Sequence, residues 1–168
     1  MTLEQSIAQL FRMDDEVWAR HASGWSVWTR VATLPVLLLA VWSHAWMGGW
    51  ALLPVTIVLL WTWLNPRLFP PPRTTRTWAA KATFGERLWL NRDRVPVPVH
   101  HRIVPHVLTG VAAMGFAVAV GGALANAIWL TLLGTVLSFR GKLWFCDCMV
   151  WLYVEMKDLH PDYRQWLR

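Results

Sequence analysis

The chain has 168 residues, of which 55% are hydrophobic and only 15% are charged. Soluble domains carry about 25% charged residues, so the composition excludes an ordinary soluble enzyme or binding domain. The net charge of +6 would indicate nucleic acid in a soluble chain. Here the basic residues flank apolar tracts, so we expect membrane lipids with anionic head groups as partners, and no nucleic acid.

Two long tracts, residues 31–64 and 103–139, carry no charged side chain. A helix of 34 residues would be about 51 Å long, whereas the hydrocarbon core of a bilayer is about 30 Å thick. Each tract is therefore predicted to fold back, with breaks at Met47-Gly48-Gly49 and at Gly121-Gly122 with Ala125-Asn126. The fold class is all-α: a polytopic membrane bundle of four transmembrane helices arranged as two hairpins. Re-entrant hairpins that never cross the bilayer are the structural alternative, because the spans are short.

The 16 Lys and Arg residues predict the orientation. They lie before the first span, between the second and third, and after residue 139, and none lies in the two tight hairpin turns. The positive-inside rule then indicates a multi-pass protein of the inner (plasma) membrane with both termini in the cytoplasm. The predicted segments are an amphipathic cytoplasmic segment (1–28), the first hairpin (29–65), a folded cytoplasmic cap loop (66–103), the second hairpin (104–158), whose last helix extends into the cytoplasm, and a tail (159–168).

Residues 2–20 show apolar side chains at helical spacing. They predict an amphipathic helix that lies either in the membrane interface or on the protein's own cytoplasmic surface. Tryptophan is abundant, with 14 residues, and most of them fall near the predicted membrane boundaries as interfacial anchors. Trp78 and Trp89 lie in the cap loop and require a packed or membrane-apposed environment.

Small residues form two rows in the third predicted span at four-residue spacing. Such rows let helices approach closely in lipid, so this span is predicted to be the central packing helix or a dimer seam. The rows are Ala113, Ala117 and Gly121, and Gly115, Ala119 and Ala123.

Histidines gather at the predicted cytoplasmic boundary, together with acidic residues that include Glu155. Imidazole and carboxylate together suit iron, zinc or manganese, so one transition metal is a candidate cofactor. The alternative is interfacial histidines that bond phosphates, carbonyls and Trp neighbours. The candidate metal ligands are His21, His100, His101, His106 and Asp147. For Asp147 the competing role is an ion pair with Arg140 or His106.

Arginine is frequent on the same predicted face, and arginine forks bind phosphate and carboxylate bidentately. With tryptophan interleaved, they predict a site for the head group of an amphipathic, lipid-like molecule. The positive-inside excess alone is the competing explanation. The candidate substrate-binding residues are Arg20, Arg67, Arg87, Arg92, Arg102, Trp78 and Trp89, and Glu86 or Asp93 is the candidate catalytic proton carrier.

Several phrases resemble one specific family: Trp25-Ser26-Val27-Trp28-Thr29-Arg30, Asn65-Pro66-Arg67-Leu68-Phe69-Pro70, Gly85-Glu86-Arg87-Leu88-Trp89 and Pro98-Val99-His100-His101-Arg102. This family consists of small bacterial and archaeal integral membrane proteins catalogued only as a domain of unknown function. The resemblance covers about residues 14–158. It implies the membrane fold and brings no known activity.

Three functions remain open on the sequence. One is a protein that binds or modifies a lipid-like molecule at a site of His, Arg and acidic residues, with or without a metal. Another is a non-catalytic subunit or assembly factor of a larger membrane complex, with a second copy of the chain or another subunit as partner. The third, a transporter, is disfavoured because no intramembrane charge ladder occurs.

Overall fold

The structure, a computed structural model, describes residues 15–92 and 96–159. Within these ranges every regular element is a helix and no strand occurs, which confirms the all-α prediction. The α-helices are α1 (Asp15–His21), α2 (Gly24–Trp42), α3 (His44–Met47), α4 (Leu52–Leu68), α5 (Trp78–Leu90), α6 (Val104–Leu124) and α7 (Ile128–Met156). Two 3₁₀ helices cover Gly48–Ala51 and Val99–His101. Most of the predicted amphipathic helix, up to residue 14, lies outside the described residues.

The chain divides into two compact units. Unit 1 contains residues up to 28, residues 65–102 and residues from 146 onward, and unit 2 contains residues 29–64 and 103–145. Unit 2 has no Asp or Glu, and its Lys and Arg residues are Arg30, Arg140 and Lys142. The two units therefore differ sharply in the polarity of their sequence.

The helical stretch from α2 to α4 reverses direction. Helix α2 ends at Trp42, and the chain turns through the short helix α3 to Gly48. Gly48 adopts φ +56°, a backbone conformation that glycine enters without steric cost. The hydroxyl of Ser26, near the start of α2, donates to Oδ1 of Asn65, near the end of α4, at 2.8 Å. A continuous helix between these positions would separate them by about 58 Å. The stretch is therefore a hairpin, and α4 continues past Pro66 to end at Leu68.

Helices α6 and α7 form a second hairpin, whose arms touch through small residues. Gly115 lies against the backbone of Gly134 and Ser138, and Gly122 lies against the backbone of Thr131. Asn126 in the connection has φ +53°, which asparagine tolerates better than most residues. Of the two predicted rows, Gly115, Ala119 and Ala123 are buried, whereas Ala113, Ala117 and Gly121 are exposed. Only one of the two rows therefore packs within unit 2.

Helix α5 is the core element of unit 1. The Thr77 side chain caps its start by accepting from the backbone N–H of Ala80 at 3.3 Å. Eight of its residues are buried, with Leu88 and Trp89 at 2% and 1% exposure. At Gly85 the helix meets the backbone of Met149 without any intervening side chain.

Two helical stretches, Gly24–Leu68 and Val99–Leu124, are long and apolar enough to cross a membrane, with mean hydropathy 1.6 and 2.0. Core helices of soluble proteins also meet these criteria, but they are mostly buried. Here only 6% and 28% of the most apolar windows are buried. The apolar side chains of these stretches therefore face outward, as they do in lipid.

Candidate metal centre

His100 and His101 occupy a short 3₁₀ helix that the preceding prolines set up. Pro98 has φ −52° and ψ 143°, an extended conformation, and its carbonyl accepts from the backbone N–H of His101 at 3.0 Å. This turn brings the two imidazole rings to a centroid distance of 4.4 Å. Two adjacent residues thus present two potential ligands within unit 1.

Both rings reach the same carboxylate oxygen. Nε2 of His100 lies 2.9 Å from Oε2 of Glu155 in α7, and Nε2 of His101 lies 3.1 Å from it. The hydrogen bond that His100 donates lowers the pKa of Glu155 below its ordinary value, and the hydrogen bond from His101 adds to this. The carboxylate is therefore ionised at neutral pH, the form in which it ligates a metal.

The spacing of these atoms suits a metal ion. One ligand atom from each of the three residues lies within 4.8 Å of the other two. Metal–ligand bonds of 2.0–2.2 Å at tetrahedral angles place neighbouring ligand atoms about 3.3 Å apart. The two His–Glu distances need only a small increase to meet this value. Among the residues that the structure describes, this is the group of three with such geometry.

Exposure leaves room for further ligands. The side chains of His100 and Glu155 are 65% and 43% exposed, whereas that of His101 is 12% exposed. Two imidazoles and one carboxylate with open positions form the donor set of catalytic zinc sites and of non-haem iron(II) sites. The arrangement could therefore hold one metal ion and leave it accessible to water or a substrate.

His21, a predicted ligand, instead belongs to a buried hydrogen-bond chain. Its Nδ1 lies 3.0 Å from Oγ of Ser26, which donates to Asn65. A serine hydroxyl has one proton, so Ser26 accepts from the Nδ1–H of His21. Ser26 and Asn65 are fully buried. This chain ties the end of α1 to both arms of the first hairpin.

Asp147, another predicted ligand, accepts from Nε1 of Trp78 at 3.1 Å. The Trp78 ring also stacks on Trp28 at 5.8 Å between centroids. These contacts hold the start of α5 within unit 1. His106, the remaining predicted ligand, is exposed in α6 and does not belong to the group of three.

Three of the five predicted head-group arginines donate to backbone carbonyls at helix ends and turns. Arg20 bonds Glu16 at 2.5 Å and the carbonyl of Arg67 at 3.1 Å. The side chain of Arg102 donates to the carbonyl of Val97 at 3.3 Å, and that of Arg92 donates to the carbonyl of Trp89 at 2.9 Å. Their role toward a substrate stays a prediction.

The two predicted aromatic contacts differ in exposure. Trp89 is buried in unit 1, and the guanidinium of Arg92 lies 4.7 Å from its ring centroid while donating to the Trp89 carbonyl at 2.9 Å. Trp78 is half-buried. Of the predicted proton carriers, Glu86 is half-buried on α5, and Asp93 lies outside the described residues.

Sequence reasoning placed Glu155 on the histidine face but did not name it as a ligand. Asp147, on the same face, received that role, with an ion pair as its competing role. Glu155 comes two turns later on the same helix and 55 residues from His100. Its distance along the chain hides the pairing, because the predicted continuation of the last helix does not by itself indicate which residues pack beside Glu155.

Comparison with known proteins adds a family and no activity. No curated protein and no solved structure gives a significant match. The model of a family of unknown function, DUF6653, matches residues 2–165. The resemblance noted in the sequence to an uncharacterised family is thereby confirmed. Since the match covers nearly the whole chain, the protein belongs to the family of unknown function DUF6653.

Proposed function

We propose that this chain is a four-span membrane protein that holds one transition-metal ion at His100, His101 and Glu155 on its cytoplasmic side. The convergence of both imidazoles on one carboxylate oxygen carries the metal part of the proposal. The substrate class we favour is an amphipathic, lipid-like molecule, because the protein would meet it in its own membrane.

The four-span part rests on hairpin geometry and exposure. Ser26 near the start of α2 meets Asn65 near the end of α4, and the glycine contacts bring α6 and α7 side by side. Both observations support a chain that enters and leaves each hairpin on the same side. Large apolar side chains point outward in both hairpins; Leu39 is 68% exposed and Met114 is 70% exposed. Such surfaces are stable in hydrocarbon and aggregate in water. Helix α7, with 29 residues, would be about 43 Å long, enough to cross the core and continue beyond it.

The metal would supply Lewis acidity, or redox chemistry if it is iron. The protein residues would supply its position. The 3₁₀ helix fixes the two rings side by side, and α7 fixes the carboxylate opposite them. Zinc, iron and manganese all accept this donor set. Selection among them is an outcome of the test below.

The deciding experiment is metal analysis of detergent-purified protein by inductively coupled plasma mass spectrometry. The wild type is expected to retain about one equivalent of iron, zinc or manganese per chain. The variants His101→Ala and Glu155→Gln are expected to lose it. His44→Ala is the matched control, because His44 lies in unit 2, where its Nδ1 bonds the carbonyl of Val41 at 2.9 Å.

Two results would contradict the metal site. One is wild-type protein without metal after growth in medium supplemented with all three metals. The other is equal metal content in wild type and Glu155→Gln. Either result would leave a hydrogen-bonded His–Glu cluster, and the non-catalytic subunit of a membrane complex would become the better interpretation. Purification under mild detergent would then be expected to recover partner subunits.

The topology has its own test. Single cysteines at Gly49 and Thr74, in a background with Cys146 and Cys148 replaced by serine, are labelled in whole cells with a membrane-impermeant maleimide. The position-49 cysteine should react from outside, and the position-74 cysteine only after permeabilisation. Equal labelling of both sites in intact cells would refute the four-span arrangement.

A further inference from the structure

A cavity of about 190 Å³ lies within unit 2, between the start of α2 and the middle of α7. Its walls are apolar, formed by Val31, Leu34, Phe139 and Leu143. Arg30 and Lys142 also line it. The cavity thus combines a hydrocarbon-like interior with two cationic groups.

The charge around this cavity favours an anion. Unit 2 contains no carboxylate side chain, and two of its basic residues, Arg30 and Lys142, line this one cavity. The ammonium of Lys142 lies 4.6 Å from the ring centroid of Phe145, a cation–π contact that restrains it. An anionic group at this cavity would meet two positively charged side chains.

Position along the chain indicates where the ligand comes from. Arg30 directly precedes the uncharged residues 31–64, and Lys142 follows the uncharged residues 103–139. In a four-span protein both side chains lie at the level of the lipid head groups, where basic residues attract anionic lipid. The cavity is smaller than the roughly 300–1,000 Å³ of pockets that enclose a whole ligand. It therefore fits part of a molecule whose remainder stays in the bilayer.

We propose that this cavity seats one anionic phospholipid. The phosphate lies between Arg30 and Lys142, and the first methylenes of an acyl chain lie against Leu34, Phe139 and Leu143. This inference rests on the four-span part of the proposed function and is independent of the metal. Arginine suits the phosphate because its planar fork binds two oxygens at once.

The test is native mass spectrometry of the full-length protein titrated with phosphatidylglycerol and, separately, with phosphatidylcholine. Wild-type protein should retain one phosphatidylglycerol and much less phosphatidylcholine. Arg30→Gln and Lys142→Gln should each weaken phosphatidylglycerol binding about fivefold, and the double variant about 30-fold, from the usual contribution of a basic residue at an anionic surface. Arg140→Gln is the charge-matched control, since Arg140 belongs to unit 2 but does not line the cavity. Its affinity should stay within about twofold of wild type.

A second variant tests the cavity itself. Val31→Trp keeps both cations but fills the space, so it should also lose the bound lipid. Equal affinity for the two lipids, equal losses in Arg140→Gln and Lys142→Gln, or unchanged binding by Val31→Trp would each overturn the proposal. Competition by millimolar inorganic phosphate would also overturn it, because the occupant would then be free phosphate.

The outcomes separate this inference from the metal site. Lipid retention is measured before and after treatment with a chelator, and it should not change. Protein that lacks metal but retains phosphatidylglycerol would refute the metal centre and support the lipid seat. Equal labelling of both cysteines in intact cells would refute both the four-span arrangement and the proposed lipid site.

Discussion

Gly85 of α5 lies so close to Met149 of α7 that a side-chain carbon at position 85 would overlap the Met149 carbonyl. Helix α5 and the end of α7 are therefore in backbone contact at this point. Phe84 and Tyr153 pack beside it, with ring centroids 5.4 Å apart. The contact holds α5 against the helix that carries Glu155.

Gly85→Ala is accordingly expected to destabilise the protein by about 1–3 kcal/mol, the usual cost of overpacking a core. The measurement is thermal unfolding in detergent, followed by the fluorescence of the 14 tryptophans. Gly110→Ala is the control, since nothing lies within 4 Å of a carbon added there. Equal melting temperatures for the two variants would show that α5 and α7 are not in backbone contact.

Replacing glycine by alanine in α6 should destabilise the protein in one small-residue row and not in the other. Gly115→Ala places a carbon 2.9 Å from the Gly134 carbonyl oxygen and should force the second hairpin apart. Gly121→Ala meets nothing within 4 Å and should be neutral or slightly stabilising. Unfolding of both variants is compared in detergent. A larger loss for Gly121→Ala would place the contact face on the other row.

Ser26→Ala should reveal the energetic role of the buried polar chain. It leaves Oδ1 of Asn65 and Nδ1–H of His21 without the serine hydroxyl, and each buried group left unsatisfied costs about 1–3 kcal/mol. Thr56→Ala is the control, because the exposed Thr56 hydroxyl donates to the Leu52 carbonyl of its own helix at 2.7 Å. Unfolding at neutral pH measures both. A Ser26→Ala loss no larger than that of Thr56→Ala would contradict the chain.

The reactivity of Cys148 should depend on burial and on Asp147. Burial raises the pKa of the Cys148 thiol above its ordinary value, and the adjacent Asp147 carboxylate raises it further. A raised pKa means less thiolate at a given pH, so iodoacetamide should modify Cys148 more slowly than free cysteine at pH 8.

Cys146→Ser leaves Cys148 as the remaining cysteine, and mass spectrometry follows its alkylation. Adding Asp147→Asn removes the charge while keeping an oxygen that accepts from Trp78, so alkylation should accelerate. An unchanged or slower rate would show that the carboxylate does not raise the thiol pKa.

Most of the helices could be predicted from patterns among neighbouring residues. Apolar length, charge distribution and Gly48-Gly49 each depend on neighbouring residues, and the structure breaks the first tract at Gly48. The sequence did not indicate which face of a helix packs against its neighbour. Both small-residue rows of α6 have the same spacing, and only the packing of α7 selects Gly115 over Gly121.

The candidate site shows the same limit. His100 and His101 are neighbours in the sequence, so their pairing was expected from spacing. His21 has the same side chain, but Ser26 and Asn65 engage it in a buried chain that links residues 39 positions apart. Glu155 was overlooked as a ligand because its proximity to His100 depends on how the end of α7 packs within unit 1, which no local pattern encodes.

The Ser26–Asn65 hydrogen bond also constrains the order of assembly. Asn65 can reach Ser26 only after α4 has returned beside the start of α2, so the bond cannot exist in a nascent chain whose second arm is still in the ribosome. The Ser26 hydroxyl, which accepts from His21, is oriented by Asn65 only once the first hairpin has closed. The complete chain of His21, Ser26 and Asn65 is a contact of the closed first hairpin, and none of the three helices that supply these residues can form it alone.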